Sequence, residues 1–298
     1  MSGAAEGDLA GKLLRSPRTL RRLLRAQRDR VIDSGAASLA EHLYWVSDRV
    51  AYLPFRRERH DLPEPVTFDG RRVDIVEDLA DYTRLPEEEV RAALQRRREI
   101  SFRSEWWATP AAWRRDHWFY LSSKSYLFAN AVHFPDSTFV ERFVAPFVPT
   151  GATVLDFGGG AGGLTLMLAG HGLHAWYADV NALQRDFVRF RVRKHELEES
   201  VSVIDWWDDL PAAQLDGVVA VDVLEHLPDA RAQVERLVGS LTQAGVLVEN
   251  SPFAVNPANP MHHEDFGLRD LLAERGFALA FEGEEGTCVW RRTGGEST

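Results

Sequence analysis

From Gly151 onward the chain alternates short apolar runs with amphipathic ones, and few folds tolerate that pattern. "ATVLDF", "LHAWYADV", "VSVIDW", "LDGVVAVDVL" and "AGVLVEN" read as strands. "GGLTLMLAGHG", "ALQRDFVRFRVRKHELEE", "DARAQVERLVGSL" and "EDFGLRDLLAERG" read as the helices around them. "LDGVVAVDVL" is apolar almost throughout, as a strand covered on both faces must be. Strict alternation of this kind implies an α/β, doubly wound, mostly parallel sheet. "FALAFEGE" and "GTCVWRRT" close it as antiparallel strands, giving seven in all. Such sheets bind ligands beyond the C-terminal ends of their strands, so the residues leaving each strand carry the functional information.

The first strand runs into "VLDFGGGAGG", Val154–Gly163, with glycines at 158, 160 and 163. The spacing G-x-G-x-x-G suits a dinucleotide turn, because glycine permits positive φ and close approach of a ligand to backbone. Asp156 stands two residues ahead of it. A carboxylate there repels a pyrophosphate and attracts an ammonium. A ligand with an amine and no phosphate fits better, and S-adenosylmethionine is one. Asp179 ends the second strand, where an acid takes ribose hydroxyls in either reading. The third strand ends at Asp205, which can accept an adenine amino hydrogen. Trp206 beside it can offer a ring face and a backbone N–H. Asp222 and the Val223–His226 turn follow the fourth strand, beside the expected reacting centre.

Taken in order, "VLDFGGGAGG", "WYADV", "VIDW" and "LDGVVAVDVLEHLPD" resemble the class I S-adenosylmethionine-dependent methyltransferases over about residues 150–280. The resemblance implies a Rossmann-like methyltransferase fold. It implies a cofactor site of Asp156, Gly158, Gly159, Gly160, Asp179, Val180, Asp205, Trp206 and Asp222. Asp156 would act near the methionyl ammonium, partly through water. The implied reaction is methyl transfer to a small-molecule acceptor by in-line displacement, in a biosynthetic setting. His226 lies in a turn where the family's histidine is often structural, and it is grouped here with the substrate side. Two alternatives stand beside this reading. One is a methyltransferase-like binding or scaffold protein without turnover. The other is a nicotinamide-dependent oxidoreductase, which shares the glycine spacing but must tolerate Asp156.

Residues 1–149 read differently and are expected to form a helical substrate or cap domain, with 150–298 as the catalytic domain. The net charge of −10 comes from the second half, which holds 11 basic and 23 acidic side chains, whereas the first holds 24 and 22 and is slightly positive. That acidity argues against a nucleic-acid partner. "VDIVEDLADYTRLPEEEVRAALQRRR" predicts two helices around a turn. The second opens on Glu87–Glu89, which phosphates would repel, so a structural hairpin is expected rather than a DNA reader. Leu9–Arg30 predicts a basic amphipathic helix, read as solvated, without the apolar stretch of a secretory signal. No apolar run is long enough to span a membrane, and the single cysteine, Cys288, fits a cytoplasmic setting.

An aromatic-rich segment, Glu105–Asp136, precedes the sheet. Its aromatics read first as core, with pocket lining as the second role, and the cap can form a homodimer contact. Tyr126, Asn130 and His133 share a helix face at i, i+4 and i+7, which makes them candidate cofactor or substrate contacts. After the fifth strand comes the proline-rich loop "ENSPFAVNPANPMHHEDF". His262 and His263 at its end are the candidate catalytic bases, His262 first, since imidazole titrates near neutral pH. A capping role for "HHED" at the next helix is the plainer alternative. No metal is expected, because no second cluster at ligand spacing accompanies these histidines.

Overall fold

The computed structural model describes residues 62, 65–68, 71–95, 106, 118–123, 126–132, 138–206, 210–253, 261–283 and 286–293. The described residues all fall within one compact unit, 61–254 with 261–298. The basic helix expected over Leu9–Arg30 lies outside the described residues.

The small strands β1 (Val66–Phe68) and β2 (Arg71–Val73) pair antiparallel. The expected hairpin follows as α1 (Ile75–Thr83) and α2 (Glu87–Gln95). Asp74 caps α1 by accepting from the Val76 amide, and Arg84 ends it in the left-handed region at φ 60°. Glu87–Glu89 open α2 at the positive end of its dipole. Three short helices come next: α3 (Trp118–Ser122), α4 (Tyr126–Asn130) and α5 (Phe139–Phe143).

The sheet strands are β3 (Thr153–Phe157), β4 (His174–Ala178), β5 (Val201–Val203), β6 (Leu215–Val221), β7 (Leu241–Asn250), β8 (Phe277–Glu282) and β9 (Cys288–Arg292). The helices between them are α6 (Gly163–Gly170), α7 (Ala182–Lys194), α8 (Ala230–Ser240) and α9 (Leu268–Glu274). The spatial order is β5-β4-β3-β6-β7-β9-β8, parallel up to β7, with β9 and β8 antiparallel. This is the expected seven-stranded doubly wound sheet. Its order reverses between β3 and β6, which opens the binding crevice there.

Alternation along each central strand builds two cores. Leu155, Val218, Ala220 and Leu247 face one side with Val234, Leu237 and Leu271. Val154, Val219, Val246 and Val248 face the other with Val140, Leu168 and Val188. A third cluster joins Leu79, Val90, Leu94 and Leu127 to Ala161 and Phe187, so α1, α2 and α4 rest on α7 and the glycine turn. Among the described residues no helix is long and apolar enough to cross a membrane.

Candidate functional site

The glycine turn is shaped by contacts on every side. Gly158, Gly160 and Gly162 have φ of 76°, 53° and 78°, a region that disfavours side chains. A Cβ on Gly158 would lie 2.4 Å from Val223 Cγ2, and one on Gly159 would lie 2.6 Å from Asp156 Oδ2. Gly158 N–H donates to the Ala178 carbonyl (2.8 Å), while the Tyr177 hydroxyl donates to the Gly160 carbonyl (2.7 Å). The turn is therefore sewn to the end of β4.

Asp156 sits beneath this turn and is 4% exposed. Thr165 Oγ1 on α6 donates to its Oδ2 at 2.5 Å. Burial lifts the carboxyl to about 7; the Thr165 hydroxyl opposes this and the charge of Asp179 adds to it. Asp179 Oδ2 accepts from Gly160 N–H (3.0 Å) and its Oδ1 from Asn181 N–H (2.8 Å). Burial raises Asp179 to about 6 against those two bonds. Val180 follows it, buried, and Arg185 Nη1 donates to the carbonyls of both Asp179 (2.6 Å) and Val180 (2.9 Å). The other guanidinium nitrogen of Arg185 lies 3.6 Å from Asp205 Oδ2, so the two acids that end β4 and follow β5 share one arginine.

Trp206 departs from expectation. Its ring is 1% exposed and stacks on Phe157 at 4.1 Å, in the core under the strand ends. Only its backbone remains to face a ligand, because the large ring gains more by filling the space beside β3. Asp222 leaves β6 at φ 52°, an uncommon conformation for a residue with a side chain. Its N–H donates to the Asn250 carbonyl at 2.9 Å.

The helices before the sheet supply the facing wall. Asn130 stands over the turn, since a Cβ on Gly160 would come within 3.0 Å of its Nδ2. That Nδ2 donates to Gln184 Oε1 at 3.4 Å. Tyr126, four residues earlier, has its hydroxyl pushed up by burial and by the charge of Asp179, with Glu225 and Asp222 also contributing. Tyr126 thus lies near the acids at the strand ends and Asn130 near the glycine turn. His133 lies outside the described residues.

A chain of rings continues from Tyr126 to Tyr120 (5.5 Å), His226 (5.6 Å) and His262 (4.7 Å). Tyr120 Oη and His226 Nδ1 are 2.9 Å apart. His262 Nδ1 lies 2.8 Å from the Pro252 carbonyl, and His263 N–H donates to the Glu225 carbonyl at 2.6 Å. The expectation that no further ligand-type residues accompany His262 is corrected: the turn after β6 and the segment before α9 bring Glu225, His226 and His262 together. Sequence distance hid this, since 36 positions separate the two histidines. Helix capping by "HHED" falls to Asp265, whose Oδ1 accepts from Gly267 and Leu268 N–H.

Several residues of this site had no assigned role in the sequence. Asn181 caps α7 with its oxygen and donates through Nδ2 to the carbonyls of Tyr120 (2.6 Å) and Ser123 (2.8 Å). Its position directly before a helix was the available signal. Asp78 of α1 holds Arg191 (2.8 Å), and Arg191 Nη1 reaches the Ala161 carbonyl of the turn (2.8 Å). Nothing local in the sequence links those positions.

Residues 133–279 match a family model described as a methyltransferase domain. No curated protein matches the chain. Among solved structures, a S-adenosylmethionine-dependent methyltransferase from Aquifex aeolicus is 19% identical, covering 52% of this chain and 93% of that one, with a TM-score of 0.41. The YcgJ protein from Bacillus subtilis is 16% identical, covering 44% of this chain and 64% of its own, with a TM-score of 0.41. The [4+2]-cyclase SpnF is 18% identical, covering 48% and 55%, also at 0.41. The match thus spans less than two thirds of the length of these last two proteins. Residues 133–279 thus carry the match to a methyltransferase domain, and within them the glycine turn and its acids lie at the ends of the parallel strands.

Proposed function

We propose that the protein transfers the methyl group of S-adenosylmethionine to a small-molecule acceptor. The observation that carries this reading is the arrangement around the glycine turn. Two buried carboxyls, Asp156 and Asp179, lie at the turn, and a polar aromatic wall of Tyr120, Tyr126, His226 and His262 faces the end of β6. The first group suits a ligand with an ammonium and ribose hydroxyls. The second suits an acceptor that must be oriented and relieved of a proton.

Gly158–Gly160 would take the amino-acid part of the cofactor, Asp179 the ribose and Asp205 the adenine edge. Asp156 reaches the ammonium from below the turn. Methyl transfer needs the acceptor atom aligned behind the methyl carbon, with water excluded. The helices before residue 150 supply that enclosure through Tyr126 and Asn130. The acceptor proton is handled at the His226–His262 cluster. At His262 the Pro252 carbonyl can only accept, so Nδ1 carries the proton and Nε2 is the basic nitrogen.

Calorimetry with S-adenosylmethionine, S-adenosylhomocysteine and NAD(P)H tests the cofactor assignment. Binding of the first two is expected. Binding of NAD(P)H alone would overturn it. His262→Ala is expected to lower turnover at least about tenfold with little change in cofactor affinity. Unchanged turnover removes His262 from the reaction.

A further inference from the structure

Glu225, His226 and His262 each offer a ligand-type atom within 4.8 Å of the others. Glu225 is the member that demands an explanation. Its side chain is 1% exposed, and its carboxylate oxygens have no hydrogen-bond partner beyond the residue's own backbone amide. The charges felt most by this carboxyl, Asp222 and Glu249, are themselves acidic. A buried carboxylate among other carboxylates is costly unless it takes up a proton or a cation joins it. Among the described residues no lysine or arginine pairs with Glu225; its partner is His226 Nε2, 3.8 Å from Oε1, which is charged only when protonated.

The two imidazoles are oriented from behind. The Pro252 carbonyl fixes the proton of His262 on Nδ1, and Tyr120 Oη meets His226 Nδ1. Both rings are thus held through Nδ1, with Nε2 as the ligand atom. Imidazoles that bind metals are held in this way by outer partners. The backbone adds a second tie, since His263 N–H donates to the Glu225 carbonyl. Residue 225 is thereby fixed to the segment carrying His262.

We propose that Glu225, His226 and His262 bind one divalent cation of the first transition row, placed to hold an oxygen of the methyl acceptor. Two imidazoles and one carboxylate favour Mn(II), Fe(II) or Zn(II) over Mg(II), which prefers oxygen ligands. Ligand atoms around such an ion lie about 3 to 4 Å apart, so the cluster must contract by roughly 1 Å. Three protein ligands leave coordination positions open, as in sites that take a substrate. The cation's role rests on the methyl-transfer reading above. With His262 Nε2 taken up as a ligand, the cation replaces that imidazole in the role given to it above: it makes an acceptor hydroxyl more acidic, and the proton leaves to solvent. The oxygen lone pair then forms the new bond to the methyl carbon, while the C–S bond breaks and its electron pair stays on sulfur.

The test uses the full chain without a histidine tag, freed of metal by chelation and desalting. Mn(II) is titrated with the free ion followed by electron paramagnetic resonance, and Zn(II) by calorimetry. One ion per chain is expected. His262→Ala, on the more open segment, and Glu225→Gln are each expected to weaken binding at least about tenfold. Lack of stoichiometric binding by the wild type overturns the proposal. So does binding that His262→Ala leaves unchanged, whatever the fate of Glu225→Gln. S-adenosylmethionine affinity is measured on the same samples. Metal without cofactor keeps the site and overturns the methyl-transfer reading; cofactor without metal overturns the site alone.

Discussion

At Gly158 a methyl group would overlap Val223, and φ of 76° adds strain of about 1–2 kcal/mol for any residue with a Cβ. Gly158→Ala should therefore lower the melting temperature and weaken S-adenosylmethionine binding at least about tenfold. Adding Val223→Ala should return part of the loss, because it removes the overlap but keeps the strain. A single variant that melts and binds like the wild type would sink this account of the turn. Asp156 shows how far one residue can be read. Its place before the glycines was visible, as was its value against a pyrophosphate. Its hydrogen bond from Thr165 and its burial were not, and they weaken the electrostatic argument, since a carboxyl lifted to about 7 is only partly charged near neutral pH. Trp206 shows the opposite limit: an aromatic at a strand end fits a ligand face and a core position equally well until packing decides.

Among elements, α7 is the hub. Its cap Asn181 holds two carbonyls of the α3 region, and its last turn holds α1 through Asp78. Asn181→Ala removes the cap and strands both buried carbonyls, at a cost of about 2 kcal/mol or more. Hydrogen exchange over residues 118–123 should accelerate in that variant; unchanged protection there would show that α3 is held by packing alone. Asp78→Asn leaves Arg191 buried with its charge uncompensated, which costs about 3–5 kcal/mol. Urea unfolding measures it; Lys194 and His195 lose the same partner, so a loss under about 1 kcal/mol would show that Arg191 does not depend on the Asp78 charge. Helix boundaries of α1 and α2 were legible from Arg84, Pro86 and the glutamates, since capping is local chemistry. The packing of that hairpin on α7 was not, because it depends on contacts more than 100 residues apart.

For the whole molecule, two carboxyls impose opposite pH trends. Asp78 is buried, yet the His195 hydrogen bond and the Arg191 charge bring it down to about 2. Its stabilisation is complete above its unfolded value near 3.8 and is lost as pH falls towards 2. Asp156 is raised, so its contribution is complete below 3.8 and is lost as pH rises through about 7. The cofactor-free protein should therefore be most stable on the acid side of neutrality, and Asp156→Asn should flatten the decline between about pH 4 and 7. Thermal melts across pH check this, and an unchanged slope would remove Asp156 as the cause. The strand–helix alternation, the doubly wound, mostly parallel sheet and its ligand end followed from sequence alone, because strand and helix periodicities are local and parallel crossovers have one favoured hand. The meeting of Glu225, His226 and His262 did not. It required the turn after β6 and the segment before α9 to converge, and that convergence is set by how β7 and α9 pack, information spread over the whole core rather than written at any of the three positions.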